Sequence, residues 1–137
     1  MFFEPPGRKC RPLRSRVLCV ALCQGAALHY IDETNGVKDF DVWTFYAAHP
    51  AATFPPRRLV SRDFGSPKFG RSPGSQGLIG RRVDLLGRSI PARPSDDPVA
   101  ALRRYLRGPR SVSARRLAEK AVVLLEPDHL LGTQVWP

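Results

Sequence analysis

The apolar positions of the chain fall into short separate blocks. VLCVALC at residues 17–23 is a continuous apolar run of strand length, and Val17, Val20 and Leu22 suit a buried β-strand. Gly25 then opens AALHYIDE, where Ala27, Leu28 and Ile31 share one helical face, with Asn35-Gly36 as the stop or turn. VKDFDVWTFY, Val37 to Tyr46, has β-branched or aromatic residues at seven of ten positions and reads as a central strand.

From His49 to Gly80 the pattern dissolves into Pro, Gly, Ser and Arg, a long basic loop with room for one short strand at about Arg58 to Arg62. RRVDLLGRSI, residues 81–90, restores a strand signal. Asp97-Pro98 carries the cap and first-position proline of a helix running to about Arg107 and closed by Gly108-Pro109. Ser111 to Glu126 reads as one further helix, with Leu117, Ala121, Val122, Leu124 and Leu125 on its core face and Pro127 ending it. The last eleven residues form a tail or a short packing strand. The expectation is a small α/β (α+β) domain over 17–126, a mixed β-sheet with helices packed on it. A loose, basic, Pro-rich arm at 1–16 precedes it and a tail at 127–137 follows.

Composition narrows the picture. A chain of 137 residues that is 42% apolar supports one core and not two. No apolar run reaches the roughly 18–20 residues of a membrane-spanning helix, and no fixed-period repeat is visible. Cys10, Cys19 and Cys23 are too few and too odd in number for a disulfide framework, and no Cys-x-x-Cys or nearby His completes a zinc set. A reduced, cytoplasmic setting is expected. The basic residues before VLCVALC imitate a secretory signal. The run meets Gln24 too soon, however, and the small residues Gly25-Ala26-Ala27 lead straight into a polar-aromatic segment.

The formal charge is +10, with Arg supplying 18 of the 22 basic residues. Arg forks pair with phosphate, so nucleotides and nucleic acid are natural partners, although a GC-rich coding bias produces the same Arg, Ala, Gly and Pro excess. The distribution says more than the total. Residues 17–46 carry −3, an acidic island between basic flanks.

That island holds Asp39-Phe40-Asp41-Val42. Strand side chains alternate, so Asp39 and Asp41 point to one face about 7 Å apart. Asp84 lies in Val83-Asp84-Leu85, one acid between apolar neighbours on another expected strand. With the two strands adjacent, at ~4.8 Å, three carboxylates meet at one rim. Three Asp oxygens suit hard Mg²⁺ or Mn²⁺, with water and substrate phosphates completing the shell. An ion pair of Asp84 with Arg81, Arg82 or Arg88 is the structural alternative.

In order, an apolar strand, Gly25, small Ala26, twelve residues, Asp39-Phe40-Asp41-Val42 and later Val83-Asp84-Leu85 resemble the nucleotidyltransferase superfamily of the DNA polymerase beta type, in its minimal form. The resemblance runs from about residue 17 to residue 90. It implies that Asp39, Asp41 and Asp84 hold the metal ions, with Asp84 also helping to activate the attacking hydroxyl. It further implies that Gly25, Ala26 and the helix start behind them approach the phosphates of a nucleoside triphosphate. Ala26 departs from the family's Gly or Ser, so a hydroxyl ligand to phosphate is missing. A catalytically degenerate member that binds nucleotide, nucleic acid or a protein partner is therefore the alternative to an active transferase.

The basic loop offers Arg57, Arg58, Arg62, Lys68 and Arg71 to the phosphates, against the plain alternative of a solvated Arg-rich loop. The acceptor stays open between a nucleic-acid end, a small antibiotic-like molecule and a protein hydroxyl. Gly70-Arg71-Ser72-Pro73-Gly74 spells a nucleophile elbow and Asp63-Phe64-Gly65 a kinase signature, but neither has its companion elements. His29, His49 and His129 have no partners at ligand spacing. Trp43 and Phe45 continue the central strand and read as core residues rather than as base-stacking platforms.

Overall fold

The computed structural model describes residues 13–33, 37, 39–50, 58–61, 82–108 and 111–137, with 58–61 and 82 described by their backbone. In chain order the elements are β1 (Val17–Cys23), α1 (Gln24–Asp32), β2 (Asp39–Ala47), β3 (Arg58–Ser61), β4 (Arg82–Ile90), α2 (Pro98–Arg107), α3 (Val112–Ala118), β5 (Val122–Glu126) and β6 (Gln134–Trp136). The six strands form one sheet in the order β3-β4-β2-β1-β5-β6. β2 and β4 pair in parallel, and the other neighbours pair antiparallel, so the sheet is mixed and the fold is α+β.

Alternation along the strands sends apolar residues to both faces. Cys19, Ala21, Cys23, Phe45, Val122 and Leu124 pack with Ala101, Leu102 and Leu106 of α2 and Leu117 of α3. Leu22 and Val123 belong instead with Ala27 and Leu28 of α1 and with Ala121. The sheet is thus a middle layer, with β1 and β5 buried on both sides, and their near-continuous apolar sequences follow from that. Each fully buried Leu or Val contributes about 1.5–3 kcal/mol relative to an exposed position.

Local chemistry sets both ends of α2 and the start of α3 where the sequence placed them. The Asp97 carboxylate accepts a hydrogen bond from the Ala100 N–H at 3.0 Å, Pro98 begins α2, and Gly108 closes it. Ser111 caps α3 by accepting from the Ala114 N–H at 3.2 Å, and its hydroxyl lies 3.0 Å from Tyr105 Oη. α1 stops at Glu33, in the left-handed region at φ 57°; Asn35 and Gly36, the expected stop, lie outside the described residues.

One expected helix is two elements. Ser111 to Glu126 does not run through as a helix: α3 ends at Ala118, and Val122–Glu126 is β5, paired antiparallel with β1. A short apolar run such as VVLL fits a buried strand and a buried helix equally well. Here the open edge of β1 decides. Val122 and Leu124 go to one face of the sheet and Val123 to the other, an alternation that a helix cannot provide. β6 then pairs with β5, so the C-terminal segment packs as a strand, and the Trp136 Nε1–H donates to the Ala118 carbonyl at 2.8 Å, holding the end of α3.

The described end of the basic arm is also packed. Residues 13–16 form a 3₁₀ turn with Leu13 fully buried, and the Arg16 guanidinium donates to the carbonyls of Ala47 and Ala48 at 3.0 and 2.7 Å. No helix among the described residues is long and apolar enough to cross a membrane.

Candidate metal centre and its cleft

The site begins with the β2–β4 ladder. In a parallel pair, residues in register project to the same face, and Asp41 is in register with Asp84. Asp39 lies two residues before Asp41 and shares that face. A carboxylate oxygen from each of Asp39, Asp41 and Asp84 lies within 4.8 Å of the others. The sheet therefore brings together the three acids expected from the sequence. Asp84 is 2% exposed, while Asp39 and Asp41 are half-buried at the rim. An all-carboxylate oxygen set is the donor chemistry that hard divalent ions such as Mg²⁺ prefer.

β1 supplies the adjoining wall. Cys23, its last residue, is in register with Asp41. Burial first, then the Asp41 charge, then Cys19, push the Cys23 thiol well above its ordinary range, so it stands beside the acids as a neutral group. The chain then turns sharply into α1 through Gln24, whose φ is 61°. A non-glycine residue in the left-handed region costs about 1 kcal/mol, and such strain persists only where neighbours hold it. Here the Gln24 N–H donates to the Ala121 carbonyl at 3.1 Å, and its side-chain Nε2–H donates to the Arg116 carbonyl at 3.3 Å. The elbow is thereby tied to α3 and to the segment that joins it to β5.

Gly25 follows at the start of α1. A Cβ built there would meet nothing nearer than Lys120 Nζ, at 4.0 Å. The backbone of the elbow is therefore open toward an ammonium group. Ala26 is buried and does not line the cleft.

Elbow, acids and α3 enclose a cleft of about 510 Å³, lined in part by Gln24, Gly25, Asp39, Asp41, Arg116 and Lys120. That volume lies within the range of small-molecule sites. Asp39, Asp41 and Trp43 follow one another at i, i+2 and i+4 on β2, which explains why all three face it. Val112 and Arg116 are spaced by four on one stripe of α3, and Lys120 lies two residues past its end.

Some of these residues were not expected. Among the described residues, Arg116 and Lys120 are the cations that line the cleft; they look like ordinary surface charges in sequence, and only the packing of α3 against the sheet brings them there. Ser113 contributes a hydroxyl from the same helix. Trp43 packs against the core, as its sequence implied, but it is half-buried and lines the cleft too, whereas Phe45 is wholly buried. Of the expected basic loop, Arg58 begins β3 by its backbone, and Arg57, Arg62, Lys68 and Arg71 lie outside the described residues. So do both decoy motifs.

Comparison of the chain with protein-family models, curated proteins and solved structures finds no match.

Proposed function

We propose that the protein is a metal-dependent nucleotidyltransferase that binds a nucleoside triphosphate and transfers its nucleotidyl group to an acceptor hydroxyl. The observation that carries this reading is the convergence of Asp39, Asp41 and Asp84 within 4.8 Å on neighbouring strands, with Asp39 and Asp41 lining a cleft that also holds Arg116 and Lys120. Phosphoryl transfer asks for positioning and charge neutralisation more than for a covalent catalyst. Those are the resources of this cleft.

Asp39, Asp41 and Asp84 would hold Mg²⁺, which when bound neutralises phosphate charge and acidifies a coordinated hydroxyl. Gly25 leaves the elbow backbone accessible to phosphate oxygens, and Lys120 and Arg116 offset the negative charge that builds on the departing pyrophosphate. Asp84, the most deeply placed acid, accepts the proton of the acceptor hydroxyl. The new bond joins that oxygen to the α-phosphorus, and the bond from the α-phosphorus to the bridging oxygen breaks.

Ala26 favours a second reading. It is 4% exposed and carries no hydroxyl, so position 26 contributes no side-chain ligand to phosphate. A protein that has lost catalysis would keep the cleft as a binding module for nucleotide, nucleic acid or a protein partner.

Calorimetry of nucleoside triphosphate binding, with and without Mg²⁺, separates the two. The transferase reading expects Mg²⁺-dependent binding in the wild type and its loss in Asp39→Asn and Asp41→Asn. Metal-independent binding, unaffected by either substitution and steeply salt-dependent, selects the binding module. No binding at millimolar nucleotide rejects the nucleotide site.

A further inference from the structure

With a nucleoside triphosphate in this cleft, as proposed above, we infer that the Trp43 ring is the platform on which its nucleobase stacks, and that the Gln24–Gly25 elbow takes the phosphates. The basis is the uneven distribution of side chains along the cleft. At one end stand Gln24, Gly25 and Lys120, with Lys120 Nζ 4.0 Å from where a Cβ on Gly25 would lie. Asp39 and Asp41 come next along β2. Beyond them Trp43 and its register partner on β4, Leu86, present apolar surface to the same space. α3 follows the same gradient. Lys120, just past its C-terminal end, is at the elbow, and Val112, at the opposite end of the helix, lines the cleft while 62% exposed.

The ring is already fixed in place. Trp43 stacks on Phe45 with centroids 6.0 Å apart and planes at 15°, and Phe45, fully buried, packs at 6.3 Å against Tyr105. A ligand stacking on the remaining surface of Trp43 pays little ordering entropy. Spacing fits as well. Asp41 and Trp43 are two residues apart on one strand face, about 7 Å, which leaves room for a pentose between a phosphate held at the acids and a base on the ring. The reverse orientation would place a triphosphate against Trp43, Leu86 and Val112, where none of these side chains neutralises its charge.

Calorimetry in Mg²⁺ with ATP, GTP, CTP, UTP and inorganic tripolyphosphate tests this on the wild type, Trp43→Leu and Trp43→Phe. Trp43→Leu is expected to weaken the purine nucleotides at least about fivefold, the low end of what losing base–aromatic stacking costs, while tripolyphosphate stays within about twofold. Trp43→Phe is expected to recover most of the loss. A second readout needs no change at position 43: in Trp136→Phe the tryptophan emission comes from Trp43 alone, and nucleotides are expected to quench it where tripolyphosphate does not. Unchanged nucleotide affinity in Trp43→Leu, or no quenching by bound nucleotide, overturns the stacking assignment and leaves the transferase reading standing. A wild type that binds neither nucleotide nor tripolyphosphate overturns both.

Discussion

Asp41 on β2 and Asp84 on β4 are direct register partners in a parallel ladder, so two acids from distant parts of the chain project side by side from one face of the sheet. With Asp39 two residues away, a carboxylate oxygen from each of the three acids comes within 4.8 Å of the others. Asp84→Asn removes one of the three charges and keeps the shape of the side chain. Added Mg²⁺ should raise the melting temperature of the wild type and leave the variant unchanged. A variant that melts lower in chelator, yet is stabilised by Mg²⁺ as much as the wild type, removes Asp84 from the metal centre.

The elbow permits a substitution that separates stability from binding. No atom lies closer than 4.0 Å to a Cβ placed on Gly25, and its φ is not in the left-handed region that favours glycine. Gly25→Ala is therefore expected to stabilise the fold by about 0.5–1 kcal/mol, since alanine loses less backbone entropy in a helix. The added methyl occupies the side of the elbow that faces Lys120, so triphosphate affinity should fall several-fold. Denaturant melts and calorimetry on one preparation check both signs. Gains in both would show that phosphate does not approach the elbow backbone.

The acids were legible in sequence because their signal is local. Asp39-Phe40-Asp41-Val42 sets two carboxylates on one strand face by alternation, and Val83-Asp84-Leu85 marks a third acid embedded in a strand. Which residue of β4 faces Asp41 was not legible, because that register is set by pairing across a long basic segment. The helical reading of Val122–Glu126 failed for a related reason: an apolar run takes its conformation from the strand it can pair with, and that partner, β1, is a hundred residues earlier. Arg116, Lys120 and Trp43 belong to the same class. Local pattern identifies a charged helix and an aromatic strand, and packing against the sheet decides which of their side chains look into a cleft.

The thiol chemistry of β1 gives a pH dependence with a definite sign. Burial pushes Cys19 from its ordinary value of 9.0 up to about 12. The folded protein thus keeps this proton between pH 9 and 12 while the unfolded chain releases it, so the unfolded state binds fewer protons and stability falls as pH rises. The stabilising contribution is complete below pH 9 and is lost progressively up to about 12, at no more than about 1.4 kcal/mol per pH unit. Cys19→Ala should flatten the slope of unfolding free energy against pH over this window, at some cost from the vacated volume. An identical slope in the variant would mean that other groups carry the alkaline loss.

Arg116, on α3, and Lys120, two residues past its end, are exposed and line the cleft, so their removal should weaken binding far more than folding. Surface substitutions of this kind usually change stability by less than about 0.5 kcal/mol. Each cation facing a triphosphate loses a charge-assisted contact on mutation to alanine, partly screened by solvent, which gives an expected loss of about 3- to 10-fold in affinity. The salt dependence is the sharper test. If both side chains meet the phosphates, the Arg116→Ala, Lys120→Ala double variant binds triphosphate more weakly at low salt, and its affinity falls less steeply as salt is raised. Tripolyphosphate should report the same change as the nucleotide, because these residues stand at the elbow end of the cleft, away from Trp43. A double variant with the wild-type affinity and salt slope would place the triphosphate elsewhere and return attention to the basic segment between β2 and β4.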